Sequence, residues 1–151
     1  MRAIVQRVKR SCVRIDGQVY SSIGQGILVL LGVGDVDNEQ DATYVAEKCA
    51  GLRIFDDGEG KMNLSVRDVG GEVMVVSQFT LYGETQKGNR PSYSRAASPQ
   101  LAETLYEKYL ADIRKLVGDQ RIRSGVFRAM MDVELTNDGP VTLIVESKRK
   151  P

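Results

Sequence analysis

The groups best suited to chemistry lie in two short segments. The first, Ser77-Gln78-Phe79-Thr80-Leu81-Tyr82-Gly83, follows the apolar run at 73–76. It offers hydroxyls and backbone N–H groups where a buried strand reaches the surface. The second, Asn137-Asp138-Gly139-Pro140-Val141-Thr142, stands between two strand-like runs. A Gly-Pro step can be held cis so that its backbone groups face a ligand. It can equally be a trans turn joining two strands, since only about 5–6% of X-Pro bonds in folded proteins are cis.

The chain has no histidine. That removes a Ser-His-Asp triad, a Cys-His pair, an imidazole base and the usual His-rich metal sites. In a hydrolase of this sequence the proton must be handled by a carboxylate, a lysine, water or the substrate. Thr80 as a nucleophile would need an activating base, and none is evident nearby in sequence. A role in positioning water or substrate fits better. Strand alternation puts Ser77, Phe79 and Leu81 on one face and Gln78 and Thr80 on the other. The hydroxyls of Ser77 and Thr80 then form no side-by-side pair unless the strand bends, and each can serve merely to bond backbone groups.

The elements that must position these segments are legible in outline. Residues 2–10 and 12–15 read as strands, with a turn at Asp16-Gly17 and a further strand near 18–20. The run at 27–31 is apolar throughout, as in a strand buried on both faces, and 73–76 is a second such strand. A helix begins after Asn38, with Asp41 completing the cap, runs through Ala42, Val45, Ala46 and Cys49, and stops near Gly51. Asp56-Asp57-Gly58-Glu59-Gly60 is a turn. Residues 83–97 have little periodicity and form a long loop of the functional or mobile kind. Ser98-Pro99 starts a second helix whose stripe runs Ala102, Leu105, Tyr106, Tyr109, Leu110, Ile113 and Leu116, ending at Gly118. Met131, Val133 and Leu135 alternate with polar residues, and 141–145 is a final strand. Two helices with several strands make an α+β chain, read here as one domain over 1–151.

Composition sets the remaining bounds. The 151 residues are 42% hydrophobic and 27% charged, ordinary for a soluble globular protein. No apolar run reaches the roughly 18–20 residues of a membrane span, and the first residues lack a signal-peptide core, so the expected compartment is the cytoplasm. Cys12 and Cys49 are unclustered, and read as small buried hydrophobes. Net charge is +1, so contact with nucleic acid must use a local patch. Lys87, Arg90 and Arg95 in the long loop, and Lys148-Arg149-Lys150 in the tail, are the candidates.

The two segments together resemble the signature of the D-aminoacyl-tRNA deacylases. The likeness extends through Gln6-Arg7-Val8, Arg53-Ile54-Phe55, Lys61-Met62-Asn63-Leu64 and Arg90-Pro91-Ser92-Tyr93-Ser94. It implies a barrel-like, mostly antiparallel sheet with the two helices packed against it, and a homodimer with no obligatory cofactor or metal. It implies hydrolysis of the ester between a D-amino acid, or glycine, and tRNA, with no role for DNA or membrane. Ser77, Gln78, Phe79 and Thr80 would form the catalytic segment, with N–H groups around Phe79 polarising the ester carbonyl. Gly139 and Pro140, held cis, supported by Arg7 and inserted into the partner subunit's site, would exclude L-side chains. Met131 would lie in the pocket wall. Arg90, Arg95, Ala96 and Ala97 would meet the end of the tRNA, with Tyr93 stacking or anchoring the loop. The chain departs from the pattern at 127–131, where Arg128 replaces a small residue and Met130 an acid. Relatives vary after Leu81, which makes Tyr82-Gly83 unremarkable. The rival to this enzyme is a non-catalytic RNA 3′-end-binding protein on the same fold. A small-molecule amidase with a Thr80 nucleophile is a third class.

Overall fold

In the computed structural model, which describes residues 1–147, one long strand organises the rest. β1 (Arg2–Ile15) turns back into β2 (Gln18–Ile23) through Asp16 and Gly17. Their φ values of 52° and 78° are those a two-residue hairpin turn demands. β3 (Gly26–Gly32) pairs antiparallel with the first half of β1, and β2 with the second. β6 (Glu72–Ser77) lies parallel to β3, and β7 (Ile122–Ser124) parallel to β6. β8 (Asp132–Glu146) runs antiparallel along the other edge of β1. A separate small hairpin holds β4 (Phe55–Asp56) and β5 (Met62–Leu64). The order β2-β1-β3-β6-β7 curls until Ser21 Oγ on β2 donates to the Ser124 carbonyl beside β7, at 2.8 Å. The result is a nearly closed, barrel-like sheet. It is mixed, because helices carry the crossovers from β3 to β6 and from β6 to β7, and such crossovers yield parallel pairs.

Both helices cap as their sequences dictate. For α1 (Glu39–Gly51), the Asn38 side chain accepts from the N–H groups of Gln40 and Asp41, and Asp41 accepts from the Asn38 N–H at 2.8 Å. For α2 (Pro99–Val117), the Ser98 hydroxyl accepts from the Leu101 N–H, and Gly118 ends the helix at φ 129°. Both helices share one core with one face of the sheet. Val45, Cys49, Leu105, Tyr109 and Ile113 meet Ala3, Val5, Val29, Leu31, Val73 and Val75 there. Leu28, Met74 and Val76 point the other way, into a second cluster with Val8, Val13 and Ile23. Alternate residues of β3 and β6 therefore enter different cores, which is why both strands are apolar without interruption.

Four departures from expectation have physical causes. Residues 2–15 form one strand rather than two. Its irregularity is taken up in the pairing to β8, where Val8 meets Asn137 and Arg10 meets Thr136. The runs at 131–135 and 141–145 do not form separate strands joined by a turn, because both pair with β1 in the same direction. They belong to β8, and 138–141 bulge out opposite Arg7. β7 has only three residues, too few for a periodic signal. Cys12 is also half-exposed rather than buried, its thiol donating to Glu134 at 3.3 Å. Cys49 is buried as expected, and burial pushes its thiol up to about 11. The tail Lys148-Arg149-Lys150 lies outside the described residues.

Candidate active site

The site begins where β6 ends. Gln78 makes the last ladder-like bond, its N–H donating to the Leu31 carbonyl at 2.8 Å. The chain then folds into a single 3-10 turn over Phe79–Tyr82. Gly32 permits this, because a Cβ there would sit 3.0 Å from the Leu81 side chain and 3.1 Å from the Gln78 carbonyl. The turn cancels the strand alternation expected past Ser77. It brings Gln78 and Thr80 together, and the Gln78 amide donates to the Thr80 hydroxyl. The N–H groups of Leu81 and Gly83 are satisfied by Gln78 and Thr80 carbonyls. Those of Phe79 and Thr80 open the turn and make no hydrogen bond among the described residues.

Beside this turn lies a cavity of about 660 Å³. Ser77, Gln78, Phe79, Ala96, Ala97 and Met131 all line it. Thr80 stands next to it, exposed and tied in through Gln78. The long loop is fastened at the cavity by the Ala97 N–H, which donates to the Val33 carbonyl at 3.0 Å. Tyr93 meets Phe79 edge-on with ring centres 5.2 Å apart, so it anchors the loop to the turn. Arg90 and Arg95 are exposed further along this loop. Arg95 pairs with Asp35 at 3.4 Å, an exposed contact worth little. Among the described residues the lining contains no carboxylate and no lysine, and its one charged side chain is Arg128. Among the described residues no group of three His, Cys, Asp or Glu is placed to hold a metal ion.

Arg7, Gly139 and Pro140 form a second group that does not line this cavity. The Gly139-Pro140 bond is cis, and both residues are exposed on the β8 bulge. Arg7 is buried beneath it rather than facing solvent. Its Nε donates to the Asp138 carbonyl at 3.0 Å and its Nη1 to the Ile54 carbonyl at 2.6 Å. The carboxylates of Asp138 and Asp56 lie 3.6 and 3.7 Å away. Asn137 closes the neck of the bulge, accepting from the Val141 N–H at 2.9 Å. Gly139 has φ 129°, and a Cβ there would come within 2.9 Å of Arg7 Nη2. The bulge thus presents a fixed backbone edge to its surroundings.

Tyr82, unremarkable in sequence, is part of the support. Its ring packs against Gly34, where a Cβ would fall 2.8 Å from it. The Arg2 guanidinium lies 4.8 Å above the ring centre, and Arg2 Nη1 donates to the Leu81 carbonyl at 2.7 Å. The Tyr82 hydroxyl donates to Asp37 at 3.4 Å, and Asp37 takes the Met1 ammonium at 2.6 Å. Burial, then the Asp37 charge, raises the Tyr82 phenol well above its ordinary value. The start of β1 therefore holds the 79–82 turn from behind. The one sequence signal for this was a charged residue, Arg2, at the head of a buried strand.

A family model described as D-Tyr-tRNA(Tyr) deacylase matches residues 4–146. A D-aminoacyl-tRNA deacylase of Koribacter versatilis is 56% identical over 150 residues, covering 99% of each chain. One from Carboxydothermus hydrogenoformans is 53% identical over 146 residues, covering 97% of this chain and 99% of its own. Among solved structures, one titled c-Myc DNA Unwinding Element Binding Protein superposes with a TM-score of 0.94 at 41% identity, covering 99% of this chain and 100% of its own. A probable eukaryotic D-amino acid tRNA deacylase, 15% identical, shares the fold with a TM-score of 0.82 over 96% of this chain and 98% of its own.

Proposed function

The chain belongs to the D-Tyr-tRNA(Tyr) deacylase family, and from that premise we propose that it hydrolyses the ester of D-aminoacyl-tRNA to free D-amino acid and tRNA. The observation that carries this reading beyond family membership is the pair of unengaged N–H groups of Phe79 and Thr80 beside the cavity. Donors already fixed in place stabilise an oxyanion without reorganising during the reaction. The ester carbonyl enters there, with the terminal adenosine in the apolar cavity. Thr80, held by Gln78, positions substrate or water. The whole chain, 1–151, acts as one cytoplasmic domain. Among the described residues no helix is long and apolar enough to cross a membrane. Arg90, Arg95, Ala96 and Ala97 lie along the path of the RNA end.

The Gly139-Pro140 step acts as the chiral screen. It excludes an L-side chain by backbone contact and leaves glycine, which has no side chain, as a substrate. Because the step does not line its own cavity, it serves the cavity of a second copy. Leu135, Leu143 and Ile144 are exposed on β8, whose outer edge is unpaired among the described residues. Such an edge suits an isologous pairing of two copies. Sedimentation at micromolar concentration is expected to show a dimer. A clean monomer with full activity would contradict a site shared between subunits.

The absence of a carboxylate or lysine from the cavity lining favours the rival, a non-catalytic protein that binds RNA 3′ ends. Turnover decides between them. Purified protein is expected to release D-tyrosine from D-Tyr-tRNA, and to lose that turnover on a simple D-tyrosine ester lacking RNA. Binding without turnover would establish the rival. Thr80→Ala is expected to lose no more than about tenfold in rate, the scale of one positioning hydrogen bond, and to form no acyl-enzyme. An aminoacyl ester trapped on Thr80, with the alanine variant inactive, would make Thr80 the nucleophile.

A further inference from the structure

Among the described residues Arg128 is the single charged side chain that lines the cavity. Its backbone position is unfavourable for it. The chain at 126–129 makes a tight turn closed by the Ala129 N–H to the Val126 carbonyl at 3.1 Å. Only the third residue, Arg128, has positive φ, at 67°. That position in such a turn favours glycine, because a Cβ crowds the backbone there. The guanidinium is exposed, and no hydrogen bond or ion pair engages it among the described residues. Among the described residues no carbonyl or carboxylate accepts from this arginine, which leaves its donors open to a ligand.

We propose that Arg128 binds a phosphodiester of the single-stranded RNA end as that end enters the cavity. The proposal rests on the deacylase reading and adds a residue to its substrate contacts. The chemistry fits at each step. The cavity wall around Arg128 is made by Phe127, Ala129, Met130 and Met131 on its own loop and Phe79 and Tyr93 opposite. Such a wall takes an apolar, aromatic-seeking group such as a nucleobase, but offers no charged partner for the phosphate attached to it. A fork of N–H donors at the rim supplies that partner, and a guanidinium does so with two parallel hydrogen bonds. The aminoacyl ester is uncharged at its carbonyl, so the charge of Arg128 is directed at the backbone of the RNA rather than at the scissile bond. Arg128 is a binding residue in this account and takes no part in proton transfer.

The test uses the full-length protein and its Arg128→Gly and Arg128→Lys variants. Three substrates or ligands are compared: D-Tyr-tRNA, D-tyrosyl-adenosine without a 5′ phosphate, and uncharged tRNA. Arg128→Gly is expected to raise KM for D-Tyr-tRNA about tenfold with kcat held, the pattern of lost uniform binding. The slope of log(kcat/KM) against log salt should become shallower by about 0.7, the value for one phosphate contact on a single strand. Binding of uncharged tRNA should show the same change in slope. D-tyrosyl-adenosine should be hydrolysed equally by parent and variant. Arg128→Lys should recover the salt slope and part of KM, since it keeps the charge without the fork. The melting temperature of Arg128→Gly should stay level or rise, because glycine relieves the backbone, so a loss of affinity cannot be laid to unfolding. An unchanged KM and salt slope in Arg128→Gly would overturn the assignment. So would an equal loss on D-tyrosyl-adenosine, which would place Arg128 on the adenosine or the aminoacyl group and not on a phosphate. A parent protein that hydrolyses neither substrate defeats the deacylase reading itself, and the salt series on uncharged tRNA then still decides the phosphate contact.

Discussion

D-Tyr-tRNA is expected to be hydrolysed at least about 100-fold faster than L-Tyr-tRNA, and Gly-tRNA is expected to be cleaved with the D substrate rather than spared with the L. A ratio of that size corresponds to just under 3 kcal/mol, the scale of forcing one extra group into a packed space. The screen must be rigid to deliver it, and the β8 bulge has the means. Arg7 is buried and fastened to the Asp138 and Ile54 carbonyls, and Asn137 ties the neck to Val141. A backbone edge held this way cannot yield to a side chain as a loop would. A screen that rejects by shape would accept many D-side chains, because each of them would point away from it. Gly139→Ala tests the same device from within. The new Cβ would come within 2.9 Å of both Arg7 Nη2 and Val141 Cγ2, at a φ that L-residues rarely adopt. The bulge must shift, and the D-over-L ratio of the variant should fall by on the order of tenfold while the protein still folds. Equal rates on the two enantiomers in the parent protein would remove the Gly139-Pro140 step from this role.

The elements around the site could be read before the structure, because their signals are local. Asn38 with Asp41, Ser98 with Pro99, and Asp16 with Gly17 mark ends and turns through bonds to near neighbours, and each forms as expected. The apolar runs of β3 and β6 gave burial on both faces, though not the reason, which is that their alternate residues enter two cores. What was not legible depends on distant partners. The runs at 131–135 and 141–145 look like two strands until both are seen against β1, fixed by pairing far away in sequence. The 3-10 turn over Phe79–Tyr82 has no local signature, since it forms where Gly32 on a neighbouring strand leaves room. Tyr82 and Arg2 gained their place from each other and from Asp37, across most of the first half of the chain. Arg7 shows the limit from the other side. Sequence alone allows an ordinary strand arginine, the family resemblance implies a support, and burial with carbonyl partners gives that support a physical form.

The largest loss of rate is expected from a change in the substrate and not in the protein. D-aminoacyl-tRNA with a 2′-deoxy terminal adenosine, its amino acid on the 3′ oxygen, should still bind but be cleaved more slowly, by on the order of 10²-fold or more. The cavity lining has hydroxyl, amide, aromatic and aliphatic groups and one arginine, and none of these takes a proton near neutral pH. Arginine stays charged, and a serine or threonine hydroxyl needs a base of its own before it can act. Thr80 has the Gln78 amide as its partner, a donor that cannot accept its proton. The 2′-hydroxyl of the substrate lies beside the scissile ester, and a group so placed gains several kcal/mol from proximity. The division of labour is then clear in physical terms. On this proposal the protein would offer the N–H groups of Phe79 and Thr80 to the carbonyl oxygen, as their unengaged state allows, and the RNA would move the proton. The deoxy substrate should still bind, since its adenine, ester and phosphates are kept. If turnover on the deoxy substrate were unchanged, the proton would have to pass through a protein side chain or a bound hydroxide. Thr80, beside the cavity and bonded to the lining residue Gln78, would be the first group to substitute in that case.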